Sequence, residues 1–131
     1  MTHQLELTAD YEATRAIGPW LKDALDALAA PQAERLGELE LAVHELAINI
    51  IDHAYNEAER TTATYRIDLT RSDDCIRVDF IDDGRHFTPP APRPEEPTVG
   101  GYGLMIVEQL ATTVTYERVA AQNRWTLTFG P

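Results

Sequence analysis

The sequence is poor in cysteine and lysine and contains no run of basic residues. Cys75 is the only cysteine, which excludes an intramolecular disulfide and favours a reducing compartment. Lys22 is the only lysine, and 22 acidic residues against 11 basic ones give a formal net charge of −11. A nucleic-acid-binding surface is therefore not expected, because neutralising phosphates requires clustered Lys and Arg.

Long apolar runs are also absent. The first residues, MTHQLELTADYEATR, lack the basic region and apolar run of a signal peptide. No stretch of about 18 apolar residues could span a membrane, so we predict a cytoplasmic protein without a membrane partner. The chain has 131 residues, 44% of them hydrophobic and 25% charged, which predicts one domain, residues 1–131, with a single core.

Residue periodicity predicts a defined order of strands and helices. The predicted strands are Gln4–Ala9, Thr61–Arg71, Cys75–Ile81, Thr113–Val119 and Arg124–Phe129, the last two joined by an Ala-Gln-Asn turn. The predicted helices are Tyr11–Ala29 with a kink or restart at Gly18–Pro19, Pro31 to about Asn56 or Glu57, and the glycines near position 100 to about Thr112. This order predicts an α+β fold, a two-layer α/β sandwich with helices on one face of a mainly antiparallel sheet.

The stretch 36–55 has two faces when it is drawn as a helix. Its apolar face would carry Leu36, Leu39, Val43, Leu46, Ile50 and Ala54. Its polar face would carry Glu38, Glu45, Asn49, Asp52 and His53. An ordinary amphipathic surface helix shows the same pattern, so this stretch alone does not identify a site.

Two further segments allow both a structural and a functional interpretation. Gly100-Gly101-Tyr102-Gly103 opens a predicted helix, and free N–H groups at a helix start bind phosphate, although a glycine-rich helix entry is often only structural. Asp82-Asp83-Gly84 follows a predicted strand and is either a β-turn or a carboxylate placed to accept a hydrogen bond from an adenine amino group. The glycine spacing fits neither a P-loop nor a Rossmann fingerprint.

Residues 82–100 change the character of the chain. They contain five prolines in 19 positions and cannot form a regular helix or strand. A loop this long in a small domain is usually functional, and we predict a lid over residues 85–99. A zinc-protease helix is excluded, because Ile48 stands where the motif needs its second histidine.

Taken in order, these segments resemble the GHKL (Bergerat-fold) ATPase family, and within it the small anti-sigma-factor serine-protein kinases. The residues Glu45-Leu-Ala-Ile-Asn49-Ile-Ile-Asp-His53-Ala-Tyr55 look like the N-box. Ile81-Asp82-Asp83-Gly84 is similar to the G1 box, and Gly101-Tyr-Gly103-Leu-Met-Ile-Val107 to the G2 box. The resemblance covers nearly the whole chain and implies a mixed, mainly antiparallel sheet covered on one face by about three helices.

The resemblance implies roles for the motif residues. Glu45 would take the proton from the attacking serine, and Asn49 would coordinate the Mg²⁺ that bridges the ATP phosphates. Asp82 would hold the adenine amino group, and Gly84 would permit close approach of the base. The other residues implied to bind nucleotide are Asp52 and His53 of the N-box and Gly101, Tyr102, Gly103 and Leu104 of the G2 box.

The implied function is ATP-dependent phosphorylation of a serine on a STAS-domain anti-sigma antagonist in a partner-switching pathway. ATP or ADP and Mg²⁺ are the implied cofactors, and a sigma factor is a further implied partner. Family analogy also suggests a homodimer formed through the first strand and helix.

Three departures from the family pattern, at four positions, leave an alternative open. His86 replaces the second G1 glycine, Val99 and Gly100 replace the first G2 glycine and its basic neighbour, and Ile48 replaces a hydroxyl residue. His86, Val99 and Gly100 motivate the alternative, a degenerate, non-catalytic GHKL module that sequesters or switches a partner. A fragment of a sensor histidine kinase is not expected, because no dimerisation helix with a phospho-acceptor histidine precedes the domain.

Overall fold

Five strands form one antiparallel sheet in the computed structural model, which describes residues 2–60, 62–87 and 101–131, at 101 and 102 the backbone alone. The strands are β1 (Thr2–Thr8), β2 (Thr64–Ser72), β3 (Cys75–Asp82), β4 (Thr113–Val119) and β5 (Gln122–Phe129). Their order in the sheet is β1-β2-β3-β5-β4, and all four pairings are antiparallel. The predicted sheet is confirmed, although the strands described include no parallel pair.

Three α-helices accompany the sheet. They are α1 (Ile17–Ala27), α2 (Leu36–Ala54) and α3 (Gly101–Leu110). Short 3₁₀ segments, Glu12–Ala16 and Pro31–Arg35, precede α1 and α2. The central helix α2 packs against both α1 and α3, which confirms the predicted two-layer α+β fold. Throughout the described parts of the chain, no helix has the length and apolar character needed to cross a membrane.

The hydrophobic core lies between the helices and one face of the sheet. Its largest fully buried side chains include Leu21, Leu25, Leu39, Leu46, Ile50, Ile67, Leu69, Phe80 and Phe129. The opposite face is polar, and there Asp68 and Asp79 are register partners. Arg66 and Arg77 bind these two carboxylates at 3.0 and 2.8 Å. Alternating burial along the strands thus separates an apolar face from a polar one.

Several predicted boundaries shift in the structure. The break in the first predicted helix lies before Ile17, so Pro19 falls in the first turn of α1. Proline is tolerated there because backbone N–H groups in the first turn make no hydrogen bond within the helix. The predicted Ala-Gln-Asn turn is wrong. Val119 pairs with Gln122, which leaves a two-residue turn in which Ala120 has a φ of 56°.

The end of α1 contains a left-handed residue that is not glycine. Ala29 has a φ of 51°, and the N–H groups of Ala29 and Ala30 bind the carbonyls of Asp26 and Leu25 at 3.0 and 3.1 Å. This is the Schellman arrangement, whose left-handed position favours glycine.

Replacing Ala29 by glycine is therefore expected to raise the free energy of unfolding by about 0.5–1 kcal/mol, because the Cβ strain of the left-handed conformation is removed. Urea unfolding measures the change. The control Ala27→Gly, two residues earlier in the last helical position, is expected to lower the same free energy by about 0.5–1 kcal/mol. A destabilised Ala29→Gly variant would contradict the geometry of this helix end.

Candidate functional site

One pocket lies where the C-terminal part of α2 faces the last residue of β3 and the first half of β5. It is lined by Asn49, Ile50, His53, Ala54, Asp82, Arg85, Phe87, Asn123 and Trp125. The apolar face of α2 is buried in the core, and this anchoring places Asn49 at the pocket wall with 6% of its surface exposed. The amide nitrogen of Asn49 has no hydrogen-bond partner among the described residues. A buried amide without a partner is costly, and a bound ligand could supply the missing partner.

Asp82 ends β3 and lies at the base of the pocket, with 3% of its surface exposed. Its Oδ1 accepts hydrogen bonds from the Gly84 N–H at 2.9 Å and from the Asn123 Nδ2 at 2.8 Å. Its Oδ2 is buried and has no donor among the described residues. Burial raises the pKa of this carboxyl, and the hydrogen bonds from Asn123 and Gly84 offset part of that rise. Asp82 can therefore accept one further hydrogen bond from a ligand.

Gly84 holds the segment after β3 against the end of α2. A Cβ atom at this position would lie 2.5 Å from the carbonyl oxygen of Ala54 and 2.6 Å from its Cβ. The next residue, Arg85, donates its N–H to the same carbonyl at 2.9 Å. The described contacts therefore give Gly84 a role in fixing Asp82 relative to α2. This role is additional to the predicted one, which is to permit close approach of a nucleotide base.

Replacing Gly84 by alanine is expected to lower the free energy of unfolding by about 1–3 kcal/mol, because the added Cβ meets backbone that cannot easily move. Thermal and urea unfolding measure the loss. Gly37, in the first turns of α2, serves as the control, because a Cβ atom added there would have no neighbour within 4 Å. Gly37→Ala should leave stability unchanged or raise it by up to about 1 kcal/mol. Equal effects at both positions would argue against the close packing of Gly84.

Glu45 lies where α2 meets α3. It is half-buried, and a Cβ atom at Gly103 would lie only 2.9 Å from its Oε2. The absence of a side chain at Gly103 thus lets α3 approach the carboxylate closely. The structure brings these two predicted site residues together, with the half-buried Leu104 following in α3.

The remaining predicted site residues divide into three groups. His53 is exposed and lines the pocket, 5.6 Å from the Phe87 ring. Asp52 is absent from the pocket lining, accepts a hydrogen bond from the Tyr11 hydroxyl and lies 4.0 Å from the Arg60 guanidinium. Gly101 and Tyr102 begin α3. The side chain of Tyr102, position 100 and residues 88–99 of the predicted lid (85–99) lie outside the described residues.

Aromatic residues in the pocket were not predicted. Phe87 is 8% exposed, and its ring centroid lies 4.9 Å from that of Trp125 and 5.8 Å from that of Tyr116. The backbone N–H of Phe87 donates to the Tyr116 hydroxyl at 2.9 Å. Alternation along β5 could have placed Asn123 and Trp125 on one face of the sheet, but no local pattern brings Phe87 to them.

The polar side chains of the pocket fit a nucleotide with a magnesium ion. Asp82 offers a free acceptor, and the Asn49 amide nitrogen has no partner among the described residues. The amide oxygen of Asn49 is a hard ligand of the kind that Mg²⁺ accepts. The described parts of the chain contain no group of three or more His, Cys, Asp or Glu side chains able to hold a metal ion. Mg²⁺ bound largely by phosphates needs only one or two protein oxygens.

Comparisons with known proteins agree with this geometry. The family described as "Histidine kinase-like ATPase domain" matches residues 7–129. No curated protein matches the chain at a significant level. The RsbU and RsbW domains of Rv1364c from Mycobacterium tuberculosis are similar, with a TM-score of 0.70 and 19% identity over 99% of this chain and 32% of that chain.

A second similar structure is the histidine kinase domain of a blue-light activated histidine kinase from Erythrobacter litoralis. It has a TM-score of 0.57 and 20% identity, over 87% of this chain and 60% of that chain. At such identities the two structures show a shared fold. The chain spans less than two thirds of the length of either one.

Proposed function

This chain belongs to the histidine kinase-like ATPase domain family, and on that premise we propose that it is a serine-protein kinase that uses ATP and Mg²⁺. Its proposed substrate is a STAS-domain anti-sigma antagonist. One observation carries the proposal: two unpartnered buried polar atoms, Asn49 Nδ2 and Asp82 Oδ2, belong to side chains that line the same pocket. Glu45 lies one helical turn before Asn49, on the same side of α2.

In the part of the site that binds adenine, Asp82 accepts a hydrogen bond from the adenine amino group. Its Oδ1 is already bonded, so the acceptor for the incoming N–H is Oδ2. Charge-assisted hydrogen bonds of this kind are stronger than neutral ones, and burial limits competition from water. This arrangement supports the proposed recognition of ATP.

At the phosphate end, Asn49 would hold Mg²⁺ through its amide oxygen. When bound, the ion neutralises charge on the transferring phosphoryl group. The backbone N–H groups of Tyr102 and Leu104 lie in the first turn of α3 and bind the phosphates, where the helix dipole favours negative charge.

Glu45 acts as the general base. The serine Oγ forms a bond to the γ-phosphorus, the bond from that phosphorus to the bridging oxygen breaks, and ADP leaves. The serine proton passes to the carboxylate of Glu45. The close approach of Gly103 to Glu45 supports this role, because α3 is the helix that we propose to bind the phosphates.

The proposed partners follow from the family and from the similar RsbW-containing structure. A STAS-domain protein is the phosphorylated partner, a sigma factor is the sequestered one, and the cytoplasm is the proposed location. The proposal includes a homodimer. The test is to incubate the protein with Mg·ATP and the STAS protein and to measure the mass of the STAS protein. Binding of the two proteins without any added phosphate would contradict kinase activity.

The position of Phe87 favours a second candidate function, a non-catalytic module that binds a partner. This ring packs against Trp125 inside the pocket, where a nucleotide base would bind. Thermal unfolding with and without excess Mg·ATP separates the two candidates, since a ligand at about 100 times its Kd adds about 2.7 kcal/mol of stability. A clear rise in Tm supports the kinase, and an unchanged Tm supports the binding module.

A further inference from the structure

A side chain outside all three motifs connects β5 to the end of β3. Asn123 is 1% exposed and is the register partner of Asp82. Its Nδ2 donates to the Asp82 Oδ1 and to the Arg85 carbonyl, both at 2.8 Å. Its Oδ1 accepts from the Tyr116 hydroxyl at 2.5 Å and from an Arg118 guanidinium nitrogen at 2.9 Å. Every hydrogen-bonding group of this amide is therefore in use.

These partners fix the direction of the Asn123 amide. Arg118 can only donate, so an inverted amide would place its nitrogen against this donor and its oxygen against the Asp82 carboxylate and the Arg85 carbonyl. The nitrogen must then face Asp82. Arg118 also donates to the Gly84 carbonyl at 2.9 Å, which ties the same segment to β4.

The direction of the amide in turn decides which Asp82 oxygen is free. With Asn123 and the Gly84 N–H both bound to Oδ1, rotation of the carboxylate would break two hydrogen bonds. Oδ2 therefore remains as a single acceptor held in one direction. An acceptor held in this way binds an amino group and repels a carbonyl oxygen at the same place.

We propose that Asn123 is a positioning residue that holds the Asp82 carboxylate so that the pocket selects a 6-amino purine over a 6-oxo purine. This inference rests on the proposed function, because it requires a nucleotide base at Asp82. It adds a determinant from β5, which none of the three sequence motifs contains.

Asn123 also stabilises the charged form of Asp82. Its hydrogen bond lowers the pKa of that carboxyl against the rise caused by burial. Among the described residues, the other ionisable groups near Asp82 are His53 on α2 and Tyr55 just after it, Asp83 and Arg85 on the segment after β3, and Arg118 on β4. Loss of Asn123 should therefore raise the pKa of Asp82, so that ATP affinity begins to fall at a higher pH on acidification.

The test compares the Kd values for Mg·ATP and Mg·GTP, measured by titration calorimetry, in the full chain. Asn123→Ala removes the amide, and Asn123→Ser is a smaller change should the alanine variant fold poorly. Thr126→Val is the matched control, because Thr126 lies on the same strand and donates to Asp79 on the opposite face. The preference for ATP over GTP is expected to fall by about tenfold or more in both Asn123 variants and by less than about twofold in the control.

A positioning role has a further signature that mere destabilisation would not produce. ATP affinity in Asn123→Ser should decline at a higher pH than in the unaltered protein. An unchanged ATP preference in a folded Asn123 variant would overturn the inference alone. Failure of the unaltered protein to bind ATP would overturn the proposed function and the inference together.

Discussion

Replacing Glu45 by glutamine is expected to slow phosphoryl transfer by about 10²–10⁴-fold, the range typical of a lost general base. The substitution keeps the shape of the side chain and its close contact with Gly103, so α3 should stay in place. The affinity for Mg·ATP should change little, because the proposal assigns binding of the base and of the ion to Asp82 and Asn49 and not to Glu45. The loss should therefore appear in the rate of transfer and not in nucleotide binding.

Single-turnover transfer to the STAS protein, with separate titration of Mg·ATP, measures the two quantities independently. Glu38→Gln is the matched control. Glu38 is exposed and lies two helical turns earlier on the same side of α2. Among the described residues it pairs with Arg35 alone, a contact of little energetic weight. Transfer at the normal rate in the Glu45 variant would show that another group accepts the proton.

Replacing Asp82 by asparagine is expected to abolish nucleotide binding, which the Glu45 substitution leaves intact. The free energy of unfolding of the unliganded protein should not fall. The substitution presents an N–H donor to the adenine amino group in place of an acceptor. Mg·ATP at about 100 times the Kd of the unaltered protein should stabilise that protein by about 2.7 kcal/mol. The same concentration should leave the stability of the variant unchanged. The oxygen that accepts from Gly84 and Asn123 is retained, so the local structure should persist.

The stability of the unliganded variant follows from the pKa of Asp82. Burial raises this pKa above its ordinary value of 3.8, so the folded state binds the proton more tightly than the unfolded state. The free energy of unfolding of the unaltered protein should then fall as the pH rises from near 3.8 through the raised pKa of the folded state. At neutral pH this cost of burying the charge is fully present. Asp82→Asn removes this cost, so its Tm at neutral pH should equal or exceed that of the unaltered protein.

Asp79→Asn provides the control for a buried carboxylate that is paired. Asp79 accepts hydrogen bonds from Arg77 at 2.8 Å and Thr126 at 2.6 Å on the far face of the sheet. Its replacement should lower the Tm and leave the stabilisation by Mg·ATP intact. A marked loss of stability in Asp82→Asn at neutral pH would contradict the unfavourable burial of its charge.

Local patterns were sufficient to predict the element order. The site residues were predicted from the family resemblance, and three of them, Asn49, His53 and Asp82, lie in one pocket. Helix starts were less predictable, since the residues before Ile17 and Leu36 adopt tighter 3₁₀ turns that have no distinct sequence pattern.

The contact between Asp82 and Asn123 could not be predicted, because it depends on strand order and register. Alternation assigns a side chain to a face of a strand but not to a neighbour across the sheet. The structure inserts β5 between β3 and β4, which brings together two residues 41 positions apart. The packing of Phe87 depends on the same insertion, because Trp125 and Tyr116 come from β5 and β4.

The interior position of β5 also has a consequence for the synthesis of the protein. β3 leaves the ribosome long before β5, and until β5 pairs with it one of its edges has no hydrogen-bonded neighbour. Such an open edge can pair with another chain and begin aggregation. ATP cannot protect this intermediate, because Asn123 and Trp125 enter the pocket only with β5. A chaperone that covers the edge of β3 would therefore increase the yield of folded protein at a stage when nucleotide has no effect.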